Sequence, residues 1–165
     1  MNNECRDYYI VNFVVNSIHL YTIWYSSITD GFLVCNHKIA IFYSVASLLE
    51  YATEKNIVIQ DEITTIDCDA IEHDYQDFHH NGCKNILDFW NILSDMSNSL
   101  GVAFLGNQRR GDIDNIYNKL FYGCNLEALR GNGEYYFPEW TVEEKTLMDI
   151  IIQEGLSILK NTLLK

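Results

Sequence analysis

Proline is nearly absent from this chain: Pro138 is the only one in 165 residues, and no Gly/Ser-rich or Pro-rich tract stands in for a linker. Without a linker, and at this length, the expectation is one domain spanning residues 1–165. Cations are scarce as well. Eleven Lys and Arg face 23 Asp and Glu, a formal net charge of -12, so DNA and RNA would be repelled. There is no apolar run of the roughly 18 residues that a membrane helix needs, and the start lacks the basic region and long apolar stretch of a secretory signal. The expected location is therefore the cytoplasm. Five cysteines, Cys5, Cys35, Cys68, Cys83 and Cys124, cannot all pair within one chain and show no tight framework spacing, which suits free thiols in a reducing compartment. A G-x-S-x-G elbow, a P-loop and a G-x-G-x-x-G fingerprint are all missing.

What is present is a folding composition, 48% hydrophobic and 13% aromatic. Residues 8–15 are aromatic and β-branched on both alternating sets, as in a strand covered on both faces. A second strand is expected over 18–25, then Asp30-Gly31 as a hairpin turn, then strands over 32–35 and 39–43 on either side of the corner Asn36-His37-Lys38. Ser44 can cap a helix with the apolar face Val45, Leu48, Leu49 and Ala52, stopped at Asn56. Short strands are expected at 57–59 and 63–66, a brief helix capped by Asp67 or Asp69, and a turn at Asn81-Gly82. Ile86, Phe89, Trp90, Leu93, Met96 and Leu100 recur at helical spacing ahead of Gly101. Residues 102–105 then read as a return to the sheet, and a helix through Ile116 and Leu120 ends at Gly123. Thr141 and Glu144 form a capping box for a last helix. The expected class is α+β: an N-terminal antiparallel β-meander packed against helices concentrated in the C-terminal half.

The strongest compositional feature lies in residues 50–77. Glu50, Glu54, Asp61, Glu62, Asp67, Asp69, Glu72, Asp74 and Asp77 stand against Lys55 alone, a local charge near minus eight. Such a field concentrates a cationic partner and speeds encounter with it. A second candidate surface is the glycine-rich then aromatic stretch that holds Tyr135, Tyr136, Phe137 and Trp140. Exposed tyrosine and tryptophan dominate interface energetics, although the same residues also suit sealing the last helix against the core.

Two enzymatic readings compete with a binding surface. Cys68, His73, His79, His80 and Cys83 lie close together and are zinc-type donors, but no C-x-x-C or H-x-x-x-H pair occurs. The plainer reading packs Cys68 in the core. Carboxylates doing acid–base work need two environments within a cleft, and a run of acids more often forms a solvated face. No catalytic residue, metal or cofactor is assigned. Arg109 and Arg110, which open an Arg-Gly-Asp tripeptide, can close over carboxylates of the belt.

The segments Leu87-Asp88-Phe89-Trp90-Asn91-Ile92-Leu93-Ser94-Asp95, Asn118-Lys119-Leu120-Phe121-Tyr122-Gly123 and Pro138-Glu139-Trp140 resemble small bacterial immunity proteins. Those relatives neutralise the C-terminal toxins of contact-dependent growth inhibition and other polymorphic toxin systems. The likeness covers roughly the second half of the chain. It implies a cytosolic inhibitor that binds one cognate toxin domain, often a nuclease, with no catalysis and no cofactor. Charge places the expected interface at Asp61, Glu62, Asp67, Asp69, Glu72, Asp74 and Asp77, with Tyr135, Tyr136 and Trp140 assisting. The alternatives are a small metal-dependent hydrolase using the Cys/His/acid cluster, or a module that self-associates through an exposed sheet edge.

Overall fold

Two long strands set the frame. In the computed structural model, which describes residues 5–74 and 80–165, β1 (Asp7–Val15) and β2 (Ile18–Ser26) pair antiparallel along their whole length. The turn between them is Asn16-Ser17, both residues at positive φ as a tight primed hairpin turn requires. Short strands follow: β3 (Gly31–Phe32) and β6 (Ile41–Phe42) pair with β2, while β4 (Val34–Cys35) and β5 (Lys38–Ile39) form their own small ladder. Helix α1 (Val45–Glu54) starts at Ser44, whose Oγ accepts from Ser47 N at 3.1 Å. It carries the chain across the sheet, so that β7 (Ile59–Asp67) runs parallel to β1 as the far edge. The remaining helices are α2 (Cys68–Asp74), α3 (His80–Leu100), α4 (Gly111–Gly123) and α5 (Val142–Leu163). The class is the expected α+β, with the strands first and most of the helix after them.

Alternation along the strands divides the sheet into two apolar faces. Ile10 and Ile23 meet Leu48 of α1 on one side, with Tyr8, Tyr21, Phe42 and Tyr51 packed around them. Val11, Phe13, Val15 and Leu20 face the other way, onto Phe89, Leu93 and Met96 of α3 and Ile152 and Leu156 of α5. Of the apolar face expected on α1, Leu48 and Ala52 are buried, whereas Leu49 is exposed. The capping box of α5 is present in full: Thr141 Oγ1 accepts from Glu144 N and Glu144 Oε2 accepts from Thr141 N.

Three local expectations are revised. The two short strands around 57–59 and 63–66 are one strand, β7, because acids are no obstacle on a sheet edge where Gln60 through Thr65 are exposed. They do disturb the ladder: Tyr8 pairs with Ile59 but Ile10 with Ile63, so Asp61 and Glu62 fall within a bulged stretch. Asn81 and Gly82 are helical rather than a turn, since α3 runs through them into a stripe that buries Cys83, Ile86, Leu87 and Trp90. Residues 102–105 do not rejoin the sheet. Phe104 is buried with its ring 6.5 Å from that of Trp90, and the Leu105 N–H donates to Glu154 Oε2 of α5 at 2.6 Å, which draws the segment away from the strands.

Candidate partner-binding site

Helix α3 buries one stripe and turns another to the open side of the sheet. Lys84, Asp88, Asn91 and Asp95 follow one another at intervals of four, three and four, the spacing of a single helix face. Opposite them lie Tyr9, Val11 and Trp24 of the sheet, with Glu62 and Thr64 at its β7 edge, and the space between is a groove of about 700 Å³. Asp30, Ile92, Ser94 and Tyr117 also line it. Asp30, Glu62, Asp88 and Asp95 thus bring four carboxylates to a groove whose single cation among the described residues, Lys84, is already paired with Asp88.

The walls are held by specific bonds. Trp24 Nε1 donates to Asp95 Oδ2 at 2.9 Å, tying β2 to α3, and Ser99 Oγ donates to the Asp95 carbonyl at 2.7 Å. Burial pushes the Asp95 carboxyl above the ordinary range; the Trp24 bond opposes that shift and the nearby Asp30 charge adds to it. Asp30 is fixed by Ser26 Oγ and Ser27 N, both donating at 3.0 Å. On the far wall Tyr117 Oη donates to Asn91 Oδ1 at 2.8 Å. Carboxylates pinned in this way present charge without the entropy cost of ordering long side chains.

The belt of residues 50–77 does not remain one surface. Glu50 and Glu54 lie exposed on α1, which covers the opposite face of the sheet. Asp61 and Glu62 are exposed on β7, Glu62 on the groove side. The next acids are engaged within the fold. Asp67 Oδ1 accepts from Ala70 N at 2.9 Å and starts α2; Asp69 accepts from Asn16 N at 2.8 Å and Ser17 N at 2.7 Å; Glu72 pairs with Lys160 of α5 at 2.7 Å. Asp74 ends α2, while Asp77, like His79, lies outside the described residues.

Tyr135, Tyr136 and Phe137 are exposed, by 57%, 41% and 69%, so the loop displays these rings instead of sealing the core with them. Trp140 behaves differently: it is half-buried against the main core, with Lys119 Nζ 5.6 Å from its ring. The loop is anchored by the buried Asn125, whose Nδ2 donates to Tyr136 O at 2.9 Å and whose Oδ1 accepts from Tyr136 N at 2.6 Å. Tyr136 leans edge-on to the exposed Tyr122 at 6.2 Å, and Arg130 lies 4.5 Å over Tyr135. Gly123 joins this region to α3, since a Cβ there would fall 2.7 Å from Cys83 Sγ and 3.3 Å from Pro138 Cγ. Cys83 of α3 and Pro138 at the end of the aromatic loop therefore pack against the same glycine.

Cys68 and Cys83 are buried, and burial pushes their thiols up to about 12 and about 11, far from the thiolate that zinc binds. Among the described residues no group of three or more His, Cys, Asp and Glu is brought together for a metal ion. Among the described residues Arg109 and Arg110 do not close over the belt. Arg110 pairs with Asp112 at 2.6 Å and Arg109 reaches Asp114 at 3.9 Å, both acids lying on α4, which the two arginines precede. Among the described residues no helix is long and apolar enough to cross a membrane.

The groove acids Asp30, Asp88 and Asp95 are absent from the interface expected on sequence grounds. The intervals of α3 place Lys84, Asp88, Asn91 and Asp95 on one face and so were a readable signal for a polar stripe. Nothing in the chain signals that Trp24 would bond to a residue 71 positions away. Compared with protein-family models, curated proteins and solved structures, the chain matches none.

Proposed function

We propose that this protein is an immunity-type inhibitor, working in the cytoplasm, that binds a basic toxin domain of nuclease type and neutralises it by occupying its cationic substrate surface. The observation that carries the reading is the groove: four carboxylates, Asp30, Glu62, Asp88 and Asp95, converge between an exposed strand edge and α3, where the one cation among the described residues is spent on an internal pair. Enzymes that cleave RNA or DNA need cationic surfaces to hold phosphates, and a fixed array of carboxylates complements such a surface. The exposed rings of Tyr135, Tyr136 and Phe137 supply the apolar anchors that charge alone lacks. On this reading the protein acts by binding and makes or breaks no bond itself.

The reading is tested by purifying the chain together with the C-terminal domain of any large secreted protein encoded immediately upstream, and assaying that domain on RNA and DNA. Stoichiometric addition of this protein is expected to abolish cleavage, with the two co-eluting as one complex. Cleavage that persists at molar excess contradicts the proposal.

A further inference from the structure

We infer that β7 receives an extended, basic segment of the binding partner as an added strand of the sheet. The inference rests on the reading of a basic macromolecular partner and specifies how that partner docks. The sheet has two unlike edges. On one side β3 and β6 are two residues each, too short to template another chain. On the other, β7 is nine residues long, pairs with β1 on its inner side, and among the described residues has no strand on its outer side. A strand in that position presents unpaired N–H and C=O groups, and adding a strand is a common way to satisfy them.

The side chains state what kind of strand fits. Glu62 and Thr64 lie on the groove face, with Lys84 and Asp88 opposite, so alternate residues of an added strand would meet carboxylates there. Ile63 pairs with Ile10 and belongs to the other face, where it is 49% exposed and open to an apolar neighbour. The complementary occupant therefore alternates lysine or arginine with β-branched apolar residues. A second copy of this chain is the wrong chemistry. Joining two β7 edges would set Asp61 and Glu62 of both copies along one seam, between molecules that each carry a net charge of -12.

The probe is a synthetic peptide as long as β7 that alternates lysine and valine, N-methylated along one edge so that it cannot stack on itself. Backbone amide exchange of the intact protein is read with and without it. Exchange is expected to slow across residues 59–67 and not in α1, and Asp61→Lys with Glu62→Lys is expected to weaken binding about tenfold. The same peptide N-methylated at every residue keeps its charges but loses its N–H donors, and is expected not to bind. Equal binding of the fully methylated peptide, or binding that leaves exchange in 59–67 unchanged, overturns strand addition in favour of charge alone. Slowed exchange at 59–67 that grows with protein concentration in the absence of peptide overturns it in favour of a second copy. No toxin domain enters this measurement, so its failure leaves the cleavage assay intact, and a failed cleavage assay leaves the peptide result standing.

Discussion

Two pairs of acids from the same stretch of sequence have opposite fates. Asp61 and Glu62 stand exposed on the outer strand and, among the described residues, form no ion pair, whereas Asp69 and Glu72, further along the chain, are consumed by the fold. Asp69 closes the β1–β2 turn, and Glu72 ties α2 to α5. Charge density along a sequence therefore separates into charge that holds the molecule together and charge offered outward. Local composition does not distinguish them; the partners each carboxylate finds do.

The sharpest way to break this contrast is to remove Asp69. Its carboxylate accepts two backbone N–H groups from residues at positive φ, and bonds to a charged acceptor are worth about 1.5–3 kcal/mol each when shielded, less at an exposed turn. Asp69→Ala is expected to lower unfolding stability by about 2 kcal/mol in denaturant titration, while leaving the rate of association with a basic partner unchanged. A slowed association with intact stability would move Asp69 to the docking surface.

Phe137, 69% exposed, extends the outward class beyond carboxylates. Phe137→Ala is expected to weaken the complex by about 1–2 kcal/mol by calorimetry, with the melting temperature of the free protein unmoved. A lost melting temperature would make the loop a seal for the last helix.

Asp95 stands between the two classes, since it lines the groove yet bonds Trp24. Burial raises its folded-state pKa above the unfolded value. Protonated Asp95 is thus favoured by the fold, a contribution fully present below the unfolded carboxylate pKa and lost as pH rises through the folded one. Asp95→Asn keeps an oxygen for Trp24 and never ionises. It is expected to be at least as stable as the wild type at neutral pH, with the gap closing as pH falls through the carboxylate range. Urea titrations across pH check this, and a gap that widens on acidification would show the sign to be wrong.

The smallest effect belongs to Glu72, whose pair with Lys160 is partly exposed. Glu72→Gln is expected to cost about 0–1 kcal/mol in thermal unfolding and nothing in association.

Much of the scaffold was legible because periodicity records burial. Ile86, Phe89, Leu93 and Met96 announced α3, the Thr141–Glu144 box announced α5, and alternation on both faces marked β1 as a central strand. Where the reading slipped, long-range context outweighed local chemistry. Residues 57–59 and 63–66 read as two short strands, yet an edge tolerates the acids between them; Asn81 and Gly82 read as a turn, yet α3 runs through them into the stripe that buries Cys83, Ile86 and Leu87. The groove was only half visible. Glu62 was among the expected contacts, but Asp30, Asp88 and Asp95 come from a turn and a helix that meet it only in the folded chain.

Placement of charge, rather than its total, is the central claim, and two matched charge reversals test it. Asp61→Lys with Glu62→Lys changes net charge by the same amount as Glu50→Lys with Glu54→Lys, which sit on α1 across the sheet from the groove. Stopped-flow association with the basic toxin domain at low and physiological salt is expected to slow about tenfold for the first pair, with its salt dependence flattened, and far less for the second. Equal slowing by the two pairs, or slowing by the α1 pair alone, would contradict the account.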